Sequence, residues 1–458
     1  MTSSTRLSWG KLAQAEDGAL VEVEGWMAPI ELDAAHSYFF LVPEMSCCLG
    51  CVPRDPSQAI EVFAERPVPI AAGPVRLRGR WRALSDDPNG WLWQLREARV
   101  LASSQPSLSR RSVLGGALAL PFAAAPAAAQ TDERTEAAKA ILAETPGIDI
   151  HSHAGGILRT GLAFSDVASQ MKQGGMAAIC LAMVADSPVT RILSDGRIQA
   201  QRNPEEGELY RWSGPAFGRV LALAKEQGLA VIDSSAALRA ASAERPSIVV
   251  SAEGADFLEG RIDRVDEALR KYGMRHLQLT HYRPNELGDI QTEDPVHIGL
   301  TEFGAEVIRR CNALGIVVDV AHGTFDLVKR AAEVTSKPLV ISHTSMTGRP
   351  GPRSRQISAD HARLIAQTGG VIGVWPPGAI YSTMEALAAG MARLADAVGV
   401  DHVGIGSDQR GLTGPSTFNR YTQLPDLVRA LLAHGFTAAE IGKIVGGNYS
   451  RVFVATLG

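Results

Sequence analysis

The 458-residue chain predicts an α/β fold, a (β/α)8 barrel of the TIM type, preceded by a small all-β unit of the OB type. Three observations point there. From about residue 147 to 458, eight short apolar runs alternate with amphipathic helical stretches. Residues 1–104 have another texture, with about five short strands punctuated by Gly and Pro and five of the seven tryptophans. Residues 105–146 between them are rich in Ala and Pro and read as a linker. A hydrophobic share of 45% with 21% charged residues is that of a globular protein and excludes wholesale disorder.

In the first segment, Val21-Glu22-Val23-Glu24 and Val75-Arg76-Leu77-Arg78 alternate apolar and charged, the period of a strand with one wet face. Tyr38 to Val42, Ile60 to Phe63 and Trp91 to Leu95 complete the set, which suggests an open barrel. The pieces Gly25-Trp26-Met27-Ala28-Pro29, Phe40-Leu41-Val42-Pro43 and Cys47-Cys48-Leu49-Gly50-Cys51 resemble a small bacterial β-domain family without a known function. The basic run Arg76 to Arg80 reads as a solvated face, because residues 1–104 hold ten Lys/Arg against thirteen Asp/Glu. With a net charge of -4 over the whole chain, no nucleic-acid partner is expected. Five cysteines, an odd and low count, exclude a disulfide framework. Cys47, Cys48 and Cys51 with His36 match no common zinc spacing and read as thiols in a turn, while Cys180 and Cys311 read as core residues.

In the second segment, Arg110-Arg111 precedes a mildly apolar Ala/Gly/Leu stretch that ends in Ala127-Ala128-Ala129-Gln130. Twin arginines, a weak apolar core and an Ala-x-Ala site, in that order, resemble a twin-arginine export signal. Such signals stand at an N-terminus, and no Met lies between Met45 and Met171. Export of the barrel to the periplasm therefore expects a start near Val100, Leu101 or Leu108, and the full-length product would stay cytoplasmic. No run of about eighteen apolar residues predicts a transmembrane helix.

In the third segment the strand runs are Gly147–His153, Met176–Met183, Ile248–Glu253, His276–His281, Ile316–His322, Leu339–His343, Gly370–Trp375 and His402–Asp408, with Leu229–Ile232 as an extra strand before the third. Helical patterns over Thr301–Leu314, Thr324–Thr335, Ser358–Gln367 and Met384–Val398 lie between them. A capping box at Thr437 to Glu440 opens a further helix, which Gly446-Gly447 is expected to close. The polar residues collect at the C-terminal strand ends: His151 and His153, Glu253, His281, His322, His343 and Asp408. In this fold those ends form the mouth of the active site. His151 and His153 are two apart and leave the same face of a strand. A lone histidine at a strand end is usually a hydrogen-bonded core residue, but five with two carboxylates at one end suit zinc. His276, His402, His361 and His434 fall elsewhere and read as structural.

The barrel resembles the renal (membrane) dipeptidase family of zinc metallopeptidases through Ser251-Ala252-Glu253-Gly254, Leu279-Thr280-His281, Asp319-Val320-Ala321-His322, Ile341-Ser342-His343-Thr344, Gly404-Ile405-Gly406-Ser407-Asp408 and Gly446-Gly447-Asn448-Tyr449. The resemblance implies a binuclear zinc hydrolase in which Glu253 bridges two Zn2+, His322 and His343 complete one, and His151 and His153 the other. It implies that His281 polarises the scissile carbonyl, Arg355 grips a substrate carboxylate and Asp408 moves the proton. The expected substrate is a small molecule, a dipeptide or related amide, and a homodimer is compatible with the resemblance. Two departures bear on the substrate. The family's first-strand motif is usually His-x-Asp, here His151-Ser152-His153, and its aspartate loop usually continues with a second acid, here Asp408-Gln409-Arg410. The site loses a negative charge and gains a cation at its mouth.

On chemical grounds a carboxylate between two cations would acidify a water to a pKa of about 7, Asp408 would carry its proton to the leaving amine, and Arg355 offers a planar fork for a free acid. Rival readings are an amide, lactone or β-lactam hydrolase on the same barrel, and a catalytically silent protein that holds metal and ligand. A phosphotriesterase-type site would want a lysine at strand four, and Arg275 to His281 has none.

Overall fold

The computed structural model describes residues 5–28, 35–43, 56–69, 74–84, 92–103, 127–159, 161–193, 197–348, 350–351 and 353–458. The chain divides into two compact units, Met1–Ala124 and Ala125–Gly458.

The first unit holds strands β1 (Thr5–Arg6), β2 (Leu20–Ala28), β3 (Ala35–Val42), β4 (Ile60–Pro69), β5 (Val75–Ala83) and β6 (Trp93–Ser103). The order β2-β3-β4-β6-β5, with β5 returning to β2 and β4 parallel to β6, is a five-stranded Greek-key barrel of the OB type. It is closed rather than open, because Leu20 to Gly25 pair with Val75 to Arg80 along both edges. In β5 the pattern alternates as read: Val75, Leu77 and Trp81 are buried, while Arg76 and Arg78 lie opposite Glu24 and Glu22 across the strand pair and bond their carboxylates. Such exposed pairs tie neighbouring strands together and confirm a solvated face. Cys47, Cys48, Cys51 and Trp91 lie outside the described residues.

The second unit opens with α1 (Ala127–Glu144), which replaces half of the expected linker by helix. Ala138, Ile141 and Leu142 anchor it to the main core, and the rest of its sequence is Ala with polar and charged residues, which gives little apolar period. Then follow β7 (Gly147–Ser152), α2 (Ala168–Gly174), β8 (Met176–Val184), the hairpin β9 (Thr190–Ile192) and β10 (Ile198–Ala200), α3 (Glu208–Gln227), β11 (Ala230–Val231), α4 (Ser235–Ala240), β12 (Ser247–Glu253), α5 (Asp263–Tyr272), β13 (Met274–Gln278), α6 (Glu302–Leu314), β14 (Val317–Asp319), α7 (Phe325–Val334), β15 (Leu339–Thr344), α8 (Ala359–Gln367), β16 (Val371–Val374), α9 (Met384–Val398), β17 (Val403–Ile405), α10 (Leu424–Ala433), α11 (Ala438–Gly442) and α12 (Asn448–Leu457).

Eight parallel strands close in the order β7-β8-β12-β13-β14-β15-β16-β17-β7. The ninth candidate is β11, which pairs only with the edge of β12 and stays out of the barrel. The helix starts follow the sequence signals, since Thr301, Thr324, Ser358, Thr383 and Thr437 each accept a backbone N–H in the first turn of the helix they open. Gly446-Gly447 does not end the helix begun at Thr437. The chain continues through a π-turn over Lys443–Gly447 straight into α12. The glycine is needed for approach instead: a Cβ at Gly446 would stand 2.6 Å from the Pro146 carbonyl oxygen. On α12, Tyr449, Val452 and Phe453 join Ile148, Val249, Val317 and Val340 in one apolar cluster inside the barrel, leaving the opposite, C-terminal end for polar side chains.

Candidate metal centre

His151, His153, Glu253, His281, His322, His343 and Asp408 converge at the C-terminal end of the barrel, none more than 7% exposed. His151 lies in β7, His343 in β15, and Glu253 is the last residue of β12. His281, His322 and Asp408 do not end their strands as expected but stand three residues beyond β13, β14 and β17. His322 (φ 68°) and Asp408 (φ 47°) adopt the left-handed backbone, which no ladder accommodates and which costs strain outside glycine. Beside His281, the Tyr282 N–H is taken by the Asp186 carboxylate instead of a neighbouring strand.

The imidazoles form two pairs around Glu253. His151 Nε2 and His153 Nε2 are 3.1 Å apart, and His322 Nε2 and His343 Nε2 are 3.0 Å apart. Glu253 Oε1 stands 3.4 Å from the Nε2 atoms of His151, His322 and His343. Its Oε2 stands 3.1 Å from His153 Nε2 and 3.3 Å from His281 Nε2. Nitrogens that share one zinc at about 2.0–2.1 Å lie about 3.3 Å apart at the tetrahedral angle, so each pair fits one ion. Among the described residues, His151 with His153 and Asp408, His151 with Glu253 and His343, and Glu253 with His281 and His322 each offer ligand atoms close enough to hold a metal. Nitrogen and carboxylate donors of this kind suit zinc.

A second layer orients these ligands. His153 Nδ1–H donates to the Ala182 carbonyl at 2.7 Å, which fixes its lone pair on Nε2. Ser342 Oγ lies 3.0 Å from His343 Nδ1 and 3.4 Å from His151 Nδ1, serving one imidazole of each pair. Asp186 Oδ1 stands 2.7 Å from His281 Nδ1. Two fully buried aspartates lie beneath. Asp319 accepts from the Ala321 and Ser342 amides at 2.9 and 3.1 Å. Asp149 accepts from the Ser407 amide at 2.8 Å, the Ser407 hydroxyl and the Tyr421 hydroxyl at 2.9 Å.

The charges follow from this packing. Burial alone would raise the Glu253 carboxyl, but the imidazoles of His281 and His151 outweigh it and hold it well below its ordinary range. Burial pushes His322 and His343 well below the usual imidazole value, leaving neutral rings that can ligate. Burial opposes protonation of His281 too, yet Asp186 and then Glu253 lift it to about 9. Asp408 is raised by burial, against the pull of His153 and His151.

A cavity of about 430 Å³ opens over the cluster, lined by Glu253, His281, Asp408 and Arg355 among others. Arg355 Nη1 donates to Gln291 Oε1 at 2.8 Å, its guanidinium lies 5.8 Å from the Trp375 ring centre, and its Nε finds no acceptor. Trp375 Nε1–H donates to Asp408 Oδ2 at 3.2 Å. Every site residue expected from the sequence thus lies at the mouth. His276, His361, His402 and His434 belong to none of the possible ligand groups: His276 bonds Tyr449 and Asp319, and His402 the Gly370 carbonyl.

Sequence reasoning missed Asp149, Asp186, Asp319 as a support, Ser342 and Trp375. Asp186 and Trp375 lay within its reach: they follow β8 and β16 by two and one residues, at the same end of the barrel. Ser342 and Asp149 carry no such signal, because only the fold sets them behind the imidazoles.

A family model described as membrane dipeptidase, peptidase family M19, matches residues 136–457. "Dipeptidase aclJ" of Aspergillus oryzae is 31% identical over 196 residues, 40% of this chain and 46% of that protein. "Dipeptidase verJ" of Clonostachys rogersoniana is 29% identical over 193 residues, 40% of this chain and 49% of that protein. The chain thus spans about half the length of these curated relatives. Among solved structures, a metallo peptidase from Rhodobacter sphaeroides liganded with a phosphinate mimic of the dipeptide L-Ala-D-Ala shares the fold with a TM-score of 0.59 and 22% identity, covering 68% of this chain and 99% of that one. The probable dipeptidase PvdM from Pseudomonas aeruginosa gives 0.61 and 16%, covering 71% and 99%.

Proposed function

The chain belongs to the membrane dipeptidase family, peptidase family M19, and from that membership and the geometry of the mouth we propose that it is a binuclear zinc hydrolase of the dipeptidase type. It cleaves an amide bond next to a free carboxylate. The observation that carries this is the pair of imidazole couples, 3.1 and 3.0 Å between their Nε2 atoms, with one Glu253 carboxylate reaching both. His151 and His153 would hold one zinc and His322 and His343 the other, with the Glu253 carboxylate within reach of both pairs. Zinc supplies, when bound, Lewis acidity toward water and toward a carbonyl oxygen.

The protein's own groups do the rest. Arg355, with its Nε unmet, binds the substrate carboxylate and sets the scissile bond over Glu253. His281, held as an imidazolium by the Asp186 carboxylate that accepts from Nδ1–H, donates its Nε2–H to the carbonyl oxygen as negative charge develops there. Asp408, steadied by Trp375 Nε1–H, takes the proton from the attacking water and delivers it to the leaving nitrogen. Burial of His281 and Asp408 keeps bulk water from competing for their contacts. We also read Arg110-Arg111 and Ala127-Ala128-Ala129 as a signal that exports the barrel to the periplasm.

The test is hydrolysis by the purified full chain of a panel of dipeptides and a lactam. Activity should vanish on dialysis against a chelator and return with zinc. A zinc-loaded protein that cleaves no member of the panel would overturn the reading.

A further inference from the structure

The cavity above the metal centre carries a charge pattern that the hydrolysis itself does not explain. Of its lining among the described residues, two are acidic, Glu253 and Asp408, and both are turned to the imidazoles, with His153 Nε2 3.1 Å from the one and 3.6 Å from the other. Three arginines share the lining: Arg355, Arg191 on β9 and Arg410. Arg410 is exposed and makes no ion pair or side-chain hydrogen bond among the described residues. It also lines a smaller neighbouring hollow together with Arg159.

Its place is built, not incidental. Arg410 holds a left-handed backbone (φ 68°), the second in three residues after Asp408. The turn is pinned by Asp408 N–H to the His151 carbonyl at 3.0 Å, His153 N–H to the Gln409 carbonyl at 2.9 Å and Gly411 N–H to the Asp408 carbonyl at 3.0 Å. A Cβ at Gly411 would stand 1.9 Å from Asp408 Oδ1, so the turn packs directly against the Asp408 carboxylate. The loop that carries Asp408 therefore fixes a cation two residues away, in the lining of the same cavity as Arg355.

A free dipeptide must put an ammonium in the acyl half of the site. Among the described residues the cavity offers no carboxylate turned away from the imidazoles to receive it, and its lining includes Arg410, close to a first-strand pair that is His-x-His rather than His-x-Asp. Like charges in a cavity partly shielded from water repel, and an anion there gains a charge-assisted bond. We propose that Arg410 selects substrates whose acyl half carries an anionic group in place of a lone ammonium, so that the preferred amides are acidic N-acyl amino acids held by Arg355 at one end and Arg410 at the other. This rests on the hydrolase reading above and narrows its substrate class.

The test compares three amides of alanine that differ only in the acyl half: glycyl-alanine with an ammonium, N-acetyl-alanine without charge and N-succinyl-alanine with a carboxylate, each with both alanine enantiomers. For the zinc-loaded full chain, kcat/KM should rise in that order. In Arg410→Asn, a residue that tolerates the left-handed backbone, the succinyl-to-glycyl ratio should fall about tenfold, and in Arg410→Glu about a hundredfold or more. A glycyl preference in the wild type, or a ratio unmoved by both substitutions, overturns the inference while leaving the hydrolase reading intact. If none of the three is cleaved, their dissociation constants by calorimetry decide it: tighter succinyl binding that Arg410→Glu abolishes supports Arg410 as the selector, and equal affinities overturn it.

Discussion

His153 shows how one side chain resets a site. It stands where the family it resembles usually has an aspartate, and its Nδ1–H is committed to the Ala182 carbonyl, so only Nε2 is left to face Glu253. Replacing it by the shorter carboxylate in His153→Asp restores a negative charge beside the proposed metal sites. Zinc binding and hydrolysis should persist with a shifted pH optimum. An unchanged pH profile together with unchanged zinc affinity would remove His153 from the ligand set. Arg355 is the complementary case. Loss of a charge-assisted contact costs about 1.5–3 kcal/mol, so Arg355→Ala should lower kcat/KM by roughly ten- to a hundredfold. The loss should shrink for an amide whose carboxylate is capped, and steady-state kinetics with equal losses on both substrates would place Arg355 outside the binding site. Both residues were legible in the sequence, His153 from strand periodicity and Arg355 from the resemblance. Ser342 was not, since nothing along the chain says that one hydroxyl serves both imidazole pairs.

At the scale of elements, the eight barrel strands were legible because their apolar runs are buried on both faces, as β7, β8, β12 and β15 are throughout. Their ends were not. The sequence shows no difference between a histidine on a strand and one three residues past it, whereas the ladder stops where the backbone turns left-handed at His322 and Asp408. Helix α1 escaped notice for want of an apolar period, and Gly446-Gly447 looked like a stop because close approach to Pro146 uses the same residue as a cap. The turn after β17 yields a prediction of its own. In Gly411→Ala the new Cβ meets Asp408 Oδ1 at 1.9 Å and His153 Cδ2 at 2.7 Å, so the Asp408 side chain must move. Turnover should drop by about a hundredfold, the lower range for losing general acid–base help, while the thermal midpoint shifts by only a few degrees. Full activity in this variant would show that Asp408 has no fixed post.

At the scale of the molecule, the chain joins a closed β barrel to a metal-binding α/β barrel, each with its own apolar core. No helix among the described residues is long and apolar enough to cross a membrane. Residues 104–126, where Arg110 and Arg111 fall, lie outside the described residues, while the Ala-x-Ala site falls in the first turn of α1. If the signal operates, N-terminal sequencing of fractionated cells should find a periplasmic product beginning near Gln130, and Arg110→Lys with Arg111→Lys should hold it in the cytoplasm with hydrolysis in lysates undiminished. Finding the protein only in the cytoplasm, with Thr2 present, would end that reading. The proposed chemistry depends on two ions meeting at one carboxylate. Metal analysis of the zinc-reconstituted, desalted full chain, set beside Glu253→Gln, addresses that directly: the wild type should hold two zincs per chain and the variant fewer, with hydrolysis falling alongside. Two zincs retained in Glu253→Gln, or none held by the wild type, would contradict it.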